Sequence, residues 1–158
     1  MGGNLQARMI GHGALIMLVA FVAGVGLLIS LLGGLELVPG SIMPIDLFGP
    51  TDAWVRAHLG GMLNAIMVIV VALLLPVVGF AEGAARRLGF MVAGTAWANT
   101  LFYWAALIAP NRALTFGDNR FGESNWAAVI GLAPALVFTV VIIVAFAMIA
   151  AKAFSRRI

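Results

Sequence analysis

The stretch W-V-R-A-H-L-G-G-M-L-N, Trp54 to Asn64, decides how the chain is read. It leads into an apolar run, free of charged residues beyond Arg56, that continues to Ala81. A tryptophan, an arginine, a histidine and an asparagine fall at or just inside what reads as a membrane boundary. A polar or ionisable group at that depth is expensive, and it persists only with a partner or a task. The question posed by this stretch is what His58 is for.

The rest of the chain supports a membrane setting. Of 158 residues, 63% are apolar and only 9% charged. A soluble domain of this length has no core large enough to hide that much apolar surface. The chain therefore reads as one integral membrane unit, residues 1–158, without a separate soluble domain. It has no cysteine, which excludes disulfides, iron–sulfur clusters, thiolate haem ligation and cysteine nucleophiles. The net charge of +3 reports topology and contact with anionic lipid rather than nucleic acid. The apolar run from Met9 to Leu35 is too long for a signal-peptide core and has no small-x-small cleavage site, so it reads as a retained first span.

Four runs reach the ~20 residues that a bilayer crossing requires. They are about 9–32, 58–80, 88–109 and 126–151, and none contains Lys, Arg, Asp or Glu. Such segments must satisfy every backbone amide internally, which makes them helices. The expected fold is an all-α, four-transmembrane-helix bundle with both termini on the same side. The loops between spans are expected at 33–57, 81–87 and 110–125. The end carrying the termini and the middle loop has six basic residues: Arg8, Arg86, Arg87, Lys152, Arg156 and Arg157. The other end has three, Arg56, Arg112 and Arg120. The positive-inside rule places both termini in the cytoplasm.

Few polar groups lie within the spans: His12, His58, Asn64, Asn99 and Tyr103. With a rise of ~1.5 Å per residue, His58 is roughly one turn deep and Asn64 about 15 Å deep from the Trp54 side. The third span runs the other way, so Tyr103 lies about 9 Å and Asn99 about 15 Å from the same surface. Asn99 and Tyr103, four residues apart, share a helix face. His12 falls in the opposite half. Each group also has a plain structural reading. His58 can be a hydrogen-bonded packing residue, the two asparagines can hold helices together, and Tyr103 can join Trp54, Trp104 and Trp126 in an interfacial belt. Convergence of four groups at one depth favours a site, because an apolar cavity with a few converging polar groups is the usual form of one.

The composition of this set removes several chemistries. Two histidines are too few for a membrane di-iron centre. No carboxylate lies inside a span, so neither a proton relay nor an acidic diphosphate motif is available. No Ser–His–acid set is visible. One imidazole, one phenol and two amides remain. A single histidine can hold haem iron and leave the other axial position open, with Arg56, Arg112 and Arg120 on the correct side to meet propionates. Two alternatives stay open from the residues alone: a b-type electron-transfer subunit that draws a second ligand from another subunit, and a haem-free scaffold or transporter.

Several segments resemble the styrene oxide isomerase family. They are G-H-G at Gly11–Gly13, G-V-G-L at Gly24–Leu27, G-G-L-E-L-V-P-G at Gly33–Gly40, W-V-R-A-H with Asn64 six residues on, L-P-V-V-G-F-A at Leu75–Ala81 and W-A-N-T-L-F-Y at Trp97–Tyr103. The longest is P-N-R-A-L-T-F-G-D-N-R-F-G at Pro110–Gly122. Together they run from about residue 8 to 150. The resemblance implies a four-helix enzyme of the bacterial inner membrane, a homotrimer with haem b between neighbouring subunits. It implies His58 as the axial iron ligand, Asn64 and Tyr103 facing substrate, and Asn99 and Arg112 as pocket or propionate partners. The implied reaction is a redox-neutral Meinwald rearrangement of styrene oxide-type aryl epoxides to aldehydes such as phenylacetaldehyde. Ferric iron is its Lewis acid and a 1,2-hydride shift its second step. The chain departs from the family at Thr95, where the family pattern has an aspartate.

Overall fold

The computed structural model describes residues 3–155. Arg156 and Arg157, counted in the charge balance above, lie outside the described residues. Four helices form the body: α1 (Gly3–Leu32), α2 (Thr51–Val78), α3 (Glu82–Ala106) and α4 (Trp126–Ser155). Between α1 and α2 a two-stranded antiparallel hairpin pairs β1 (Gly34–Val38) with β2 (Ser41–Pro44), Leu35 opposite Met43. The connections are short at Gly79–Ala81 and long at 107–125.

By length and composition three helices, α1, α2 and α4, can cross a membrane. The third, α3, has 25 residues, but Arg86, Arg87, Thr95, Asn99, Thr100 and Tyr103 make it the least apolar. The most apolar windows of α1 and α4 are only 22% buried. Leu18, Val22, Phe146 and Ile143 are among the side chains left exposed. Water is a poor solvent for such faces, so lipid or further protein must cover them.

Small residues let the backbones approach. Gly13 of α1 lies against Ala65 and Ile69 of α2, Gly61 of α2 against Ala20, and Gly26 of α1 against the Trp54 ring. Early α1 residues thus meet late α2 residues, and the pair is antiparallel. Gly94 of α3 meets Phe138 of α4, and Gly131 meets Ala105, so α3 and α4 are antiparallel too. Ile16, Ala65, Val68, Ala72, Leu88, Val92 and Ala96 form the centre of the core.

Element boundaries differ from the sequence expectation in ways that matter for the site. The first loop was expected to reach Ala57, yet α2 begins at Thr51. Pro50 caps it in an extended conformation (φ −77°, ψ 150°). Asp52 in the first turn complements the helix dipole, and Arg56 follows four residues later on the same face. Trp54 and Arg56 are therefore helical. The middle loop likewise shrinks, because Glu82 and Arg86 pair across the first turn of α3. At the other end α3 stops at Ala106 rather than Ala109.

The 107–125 segment is built on Asn111, which is fully buried. Its Nδ2 donates to the carbonyls of Thr115 (2.9 Å) and Gly117 (3.0 Å), and its Oδ1 accepts from the Ala113 amide (3.0 Å). Asn119 donates back to the Asn111 carbonyl at 3.0 Å. This web holds Arg112 and Ala113 at positive φ, 60° and 53°, a region side chains rarely occupy. Asn125 accepts from the Ala128 amide at 3.1 Å and so caps α4.

Candidate active site

Helix α2 presents two faces to two neighbours. Trp54, His58 and Gly61 look toward α1. Gly60 and Asn64 look toward α3. At 3.6 residues per turn, His58 and Asn64 are about 120° apart around the axis and ~9 Å apart along it.

On the α1 side, His58 Nδ1 lies 2.9 Å from the Ala20 carbonyl oxygen. A carbonyl only accepts, so Nδ1 carries the proton and donates. In the neutral imidazole the lone pair then sits on Nε2, for which no hydrogen-bond partner exists among the described residues. Gly24 makes the arrangement possible: a Cβ there would sit 2.8 Å from both Cε1 and Nδ1 of the ring. The histidine is half-buried against α1, with one nitrogen anchored and the other free.

On the α3 side, the structure brings together three of the expected residues. Asn99 Nδ2 donates to Asn64 Oδ1 across a long 3.4 Å contact. Asn64 is 7% exposed, and its own Nδ2 is buried without a partner. An unspent buried donor is costly and marks a place where a ligand oxygen would be welcome. One turn toward the loop end, the Tyr103 ring lies on Gly60, where any side chain would collide with it. A groove of about 270 Å³ opens beside it, lined by Val55, Arg56, Leu59, Gly60 and Tyr103. These α2 residues lie between the His58 face and the Asn64 face.

At the loop end the charges converge on Asp52. Arg112 approaches it at 3.1 Å and Arg56 at 3.2 Å. Arg112 also stacks on Phe121, 4.2 Å from the ring centre, and borders a second hollow of about 340 Å³ with Gly49 and Leu107. His12 belongs to neither group: it accepts a hydrogen bond from Trp97 Nε1 at 3.2 Å, near the other end of the bundle.

Comparison with known proteins supplies the context. The family described as styrene oxide isomerase matches residues 5–154. A styrene-oxide isomerase of Pseudomonas fluorescens is 41% identical over 148 residues, spanning 94% of this chain and 88% of the relative. The chain belongs to the styrene oxide isomerase family.

Within that family setting the donor set can be tested against haem. Among the described residues no cluster of three or more His, Cys, Asp or Glu could hold a metal ion. An iron bound at His58 must therefore bring most of its ligands with it, as a macrocycle does. The imidazole meets the remaining requirement. A ligating histidine usually donates its second nitrogen to a carbonyl or carboxylate, which fixes tautomer and ring orientation, and Ala20 does this for His58. Sequence reading missed that partner, since a backbone carbonyl has no residue-type signal. It missed Asp52 as the meeting point of two arginines for another reason: Arg112 is sixty residues away in the chain. Thr95 is buried, and its hydroxyl is satisfied by the Met91 carbonyl (2.7 Å) with Phe138 of α4 at 3.3 Å.

Proposed function

We propose that this chain isomerises aryl epoxides of the styrene oxide type to aldehydes, with haem b held by His58. The observation that carries the reading is the anchored imidazole: Nδ1 spent on Ala20, Nε2 free. Held by His58, haem b would supply a ferric Lewis acid to the epoxide oxygen.

The protein's own part follows from its residues. As the benzylic C–O bond breaks, negative charge grows on oxygen and positive charge on the benzylic carbon. The unpartnered Nδ2 of Asn64 and the Tyr103 hydroxyl would donate hydrogen bonds to that oxygen. Asn99 positions Asn64 by occupying its Oδ1. A hydride moves from the oxygen-bearing carbon to the benzylic carbon, and the aldehyde forms without net redox change. Water reaching the cationic carbon would give a diol instead, so the apolar walls of α2 and α3 exclude it.

His58 and the Asn64–Tyr103 group occupy different faces of α2, and the groove between them is open. This supports completion of the site by a second copy, His58 of one chain facing Asn64 and Tyr103 of another, in a homotrimer. Arg112 and Arg56, held side by side by Asp52 at the loop end, would offer guanidinium groups to propionates. Helix α3 is the fourth span, polar because it carries the site. The charge balance supports cytoplasmic termini, and membership of the family supports a place in the bacterial inner membrane.

The test is the absorption spectrum of detergent-purified protein before and after styrene oxide. The reading expects a Soret band that shifts on epoxide addition while aldehyde appears. It also expects His58→Ala to lose both band and activity. A His58→Ala protein with full haem and full turnover would sink the ligand assignment. A six-coordinate spectrum indifferent to epoxide would favour electron transfer, and colourless active protein would remove haem altogether.

A further inference from the structure

A cavity of about 420 Å³ lies at the opposite end of the bundle, between the starts of α1 and α3. The proposed chemistry does not use it. Its polar lining is Arg8, His12, Arg86 and Trp97, and its apolar lining includes Met9 and Phe90.

The hydrogen bonding of His12 is the reverse of that of His58. Trp97 Nε1 can only donate, and it does so to His12 Nδ1 at 3.2 Å. The neutral imidazole must then carry its proton on Nε2, making His12 a donor toward its surroundings rather than a metal ligand. Arg8 and Arg86 are donors only. Trp97 has spent its one N–H on His12. The cavity thus presents donors alone: two guanidinium groups and an imidazole N–H. Among the described residues Glu82 holds Arg86 in an exposed i,i+4 pair. Arg8 has no ion-pair partner among the described residues.

A donor-only polar set selects an anion. The anion is not a bare one, because the remaining walls, Leu5, Met9, Phe90, Ala93 and the glycines between them, are apolar. Position adds a third constraint. Arg8 and Arg86 sit one to two turns inside the starts of two long helices, at headgroup level if the bundle spans a bilayer, and His12 lies ~6 Å deeper than Arg8. The geometry points to a binding site for an anionic phospholipid. Its phosphate rests on Arg8 and Arg86, a deeper ester oxygen accepts from His12 Nε2, and an acyl chain runs along Phe90. This rests on the reading of the chain as membrane-spanning, but not on haem or on the isomerase chemistry.

The test uses the full chain purified in detergent. Native mass spectrometry measures retention of phosphatidylglycerol against phosphatidylcholine of equal chain length, and thermal melting is followed with each lipid and with inorganic phosphate. Phosphatidylglycerol should be retained at least tenfold over phosphatidylcholine and should raise the melting temperature. The R8Q/R86Q double variant should lose that preference. Lys152→Gln, which removes a cation from the same end of the bundle but outside the cavity, should keep it. The readout is a ratio between two lipids within each variant, so a loss of folded yield does not mimic the result. Equal retention of both lipids overturns the proposal, as does an unchanged preference in the double variant. Equal stabilisation by inorganic phosphate alone overturns the lipid assignment in favour of a free-anion site. Haem content and epoxide turnover, measured on the same samples, fail or hold separately from this outcome.

Discussion

Gly24→Ala isolates the support of His58 without touching the imidazole. The added methyl would lie 2.8 Å from Cε1 and Nδ1 of the ring. Ordinary carbon contacts sit at about 3.5–4.0 Å, so the ring must withdraw by roughly 1 Å. The bond from Nδ1 to the Ala20 carbonyl is 2.9 Å long; a retreat of that size carries it beyond hydrogen-bonding range. The loss of such a bond costs ~1 kcal/mol in its own right. Removing the partner that orients a metal-ligating histidine typically costs about 10–100-fold in affinity. The expected result is haem affinity lower by about that factor, read as Soret absorbance in a haem titration of the apo-protein. Gly11→Ala is the matched control, because a Cβ there meets nothing within 4 Å. If Gly24→Ala titrates with haem like the parent, with an unchanged spectrum, then the carbonyl anchor is not what prepares His58, and the ligand argument loses its structural support.

Three further predictions concern the surroundings of the site. Tyr103→Phe keeps the ring on Gly60 but removes the hydroxyl; turnover of styrene oxide should fall about 100-fold while haem content stays unchanged. Thr95→Asp replaces a donor with a buried carboxylate facing the Met91 and Phe138 carbonyls. It should lower stability by about 1–3 kcal/mol, measured by thermal melting in detergent. Asn111→Ala removes the three side-chain hydrogen bonds of 3.0 Å or less that Asn111 makes inside the 107–125 segment. At ~1 kcal/mol each, the loss should be about 2–3 kcal/mol in unfolding, together with faster proteolysis of that segment.

The helices were legible because lipid-scale apolar runs separated by charge permit little else. The hairpin at 34–44 was not, since Gly-Leu-Glu-Leu-Val beside Pro39 and Gly40 reads as a loop until pairing with Ser41–Pro44 is known. Depth counting set Asn64 level with Asn99, and the two are hydrogen-bonded, with Tyr103 one turn away on Gly60. It overlooked azimuth: six residues separate His58 from Asn64, and six residues are not a whole number of helical turns. The same arithmetic, applied around the axis rather than along it, would have turned His58 toward a different neighbour. Ala20 and Gly24 were beyond sequence reasoning. One contributes a carbonyl and the other contributes empty space, and neither depends on a chemically conspicuous side chain.

The polarity of α3 has a consequence for how the protein is made. Thr95, Asn99, Thr100 and Tyr103 serve the interior, but they also weaken the helix's preference for lipid over water. During synthesis α3 emerges before α4, the strongly apolar partner that packs along it through Gly94 and Phe138. Left alone at the translocon, such a segment is poorly held. On the reading of α3 as a fourth span, stable integration of the helix that carries Asn99 and Tyr103 then waits for α4. On the four-span reading proposed above, a chain halted just after residue 110 would leave α3 as the helix least firmly committed to the bilayer.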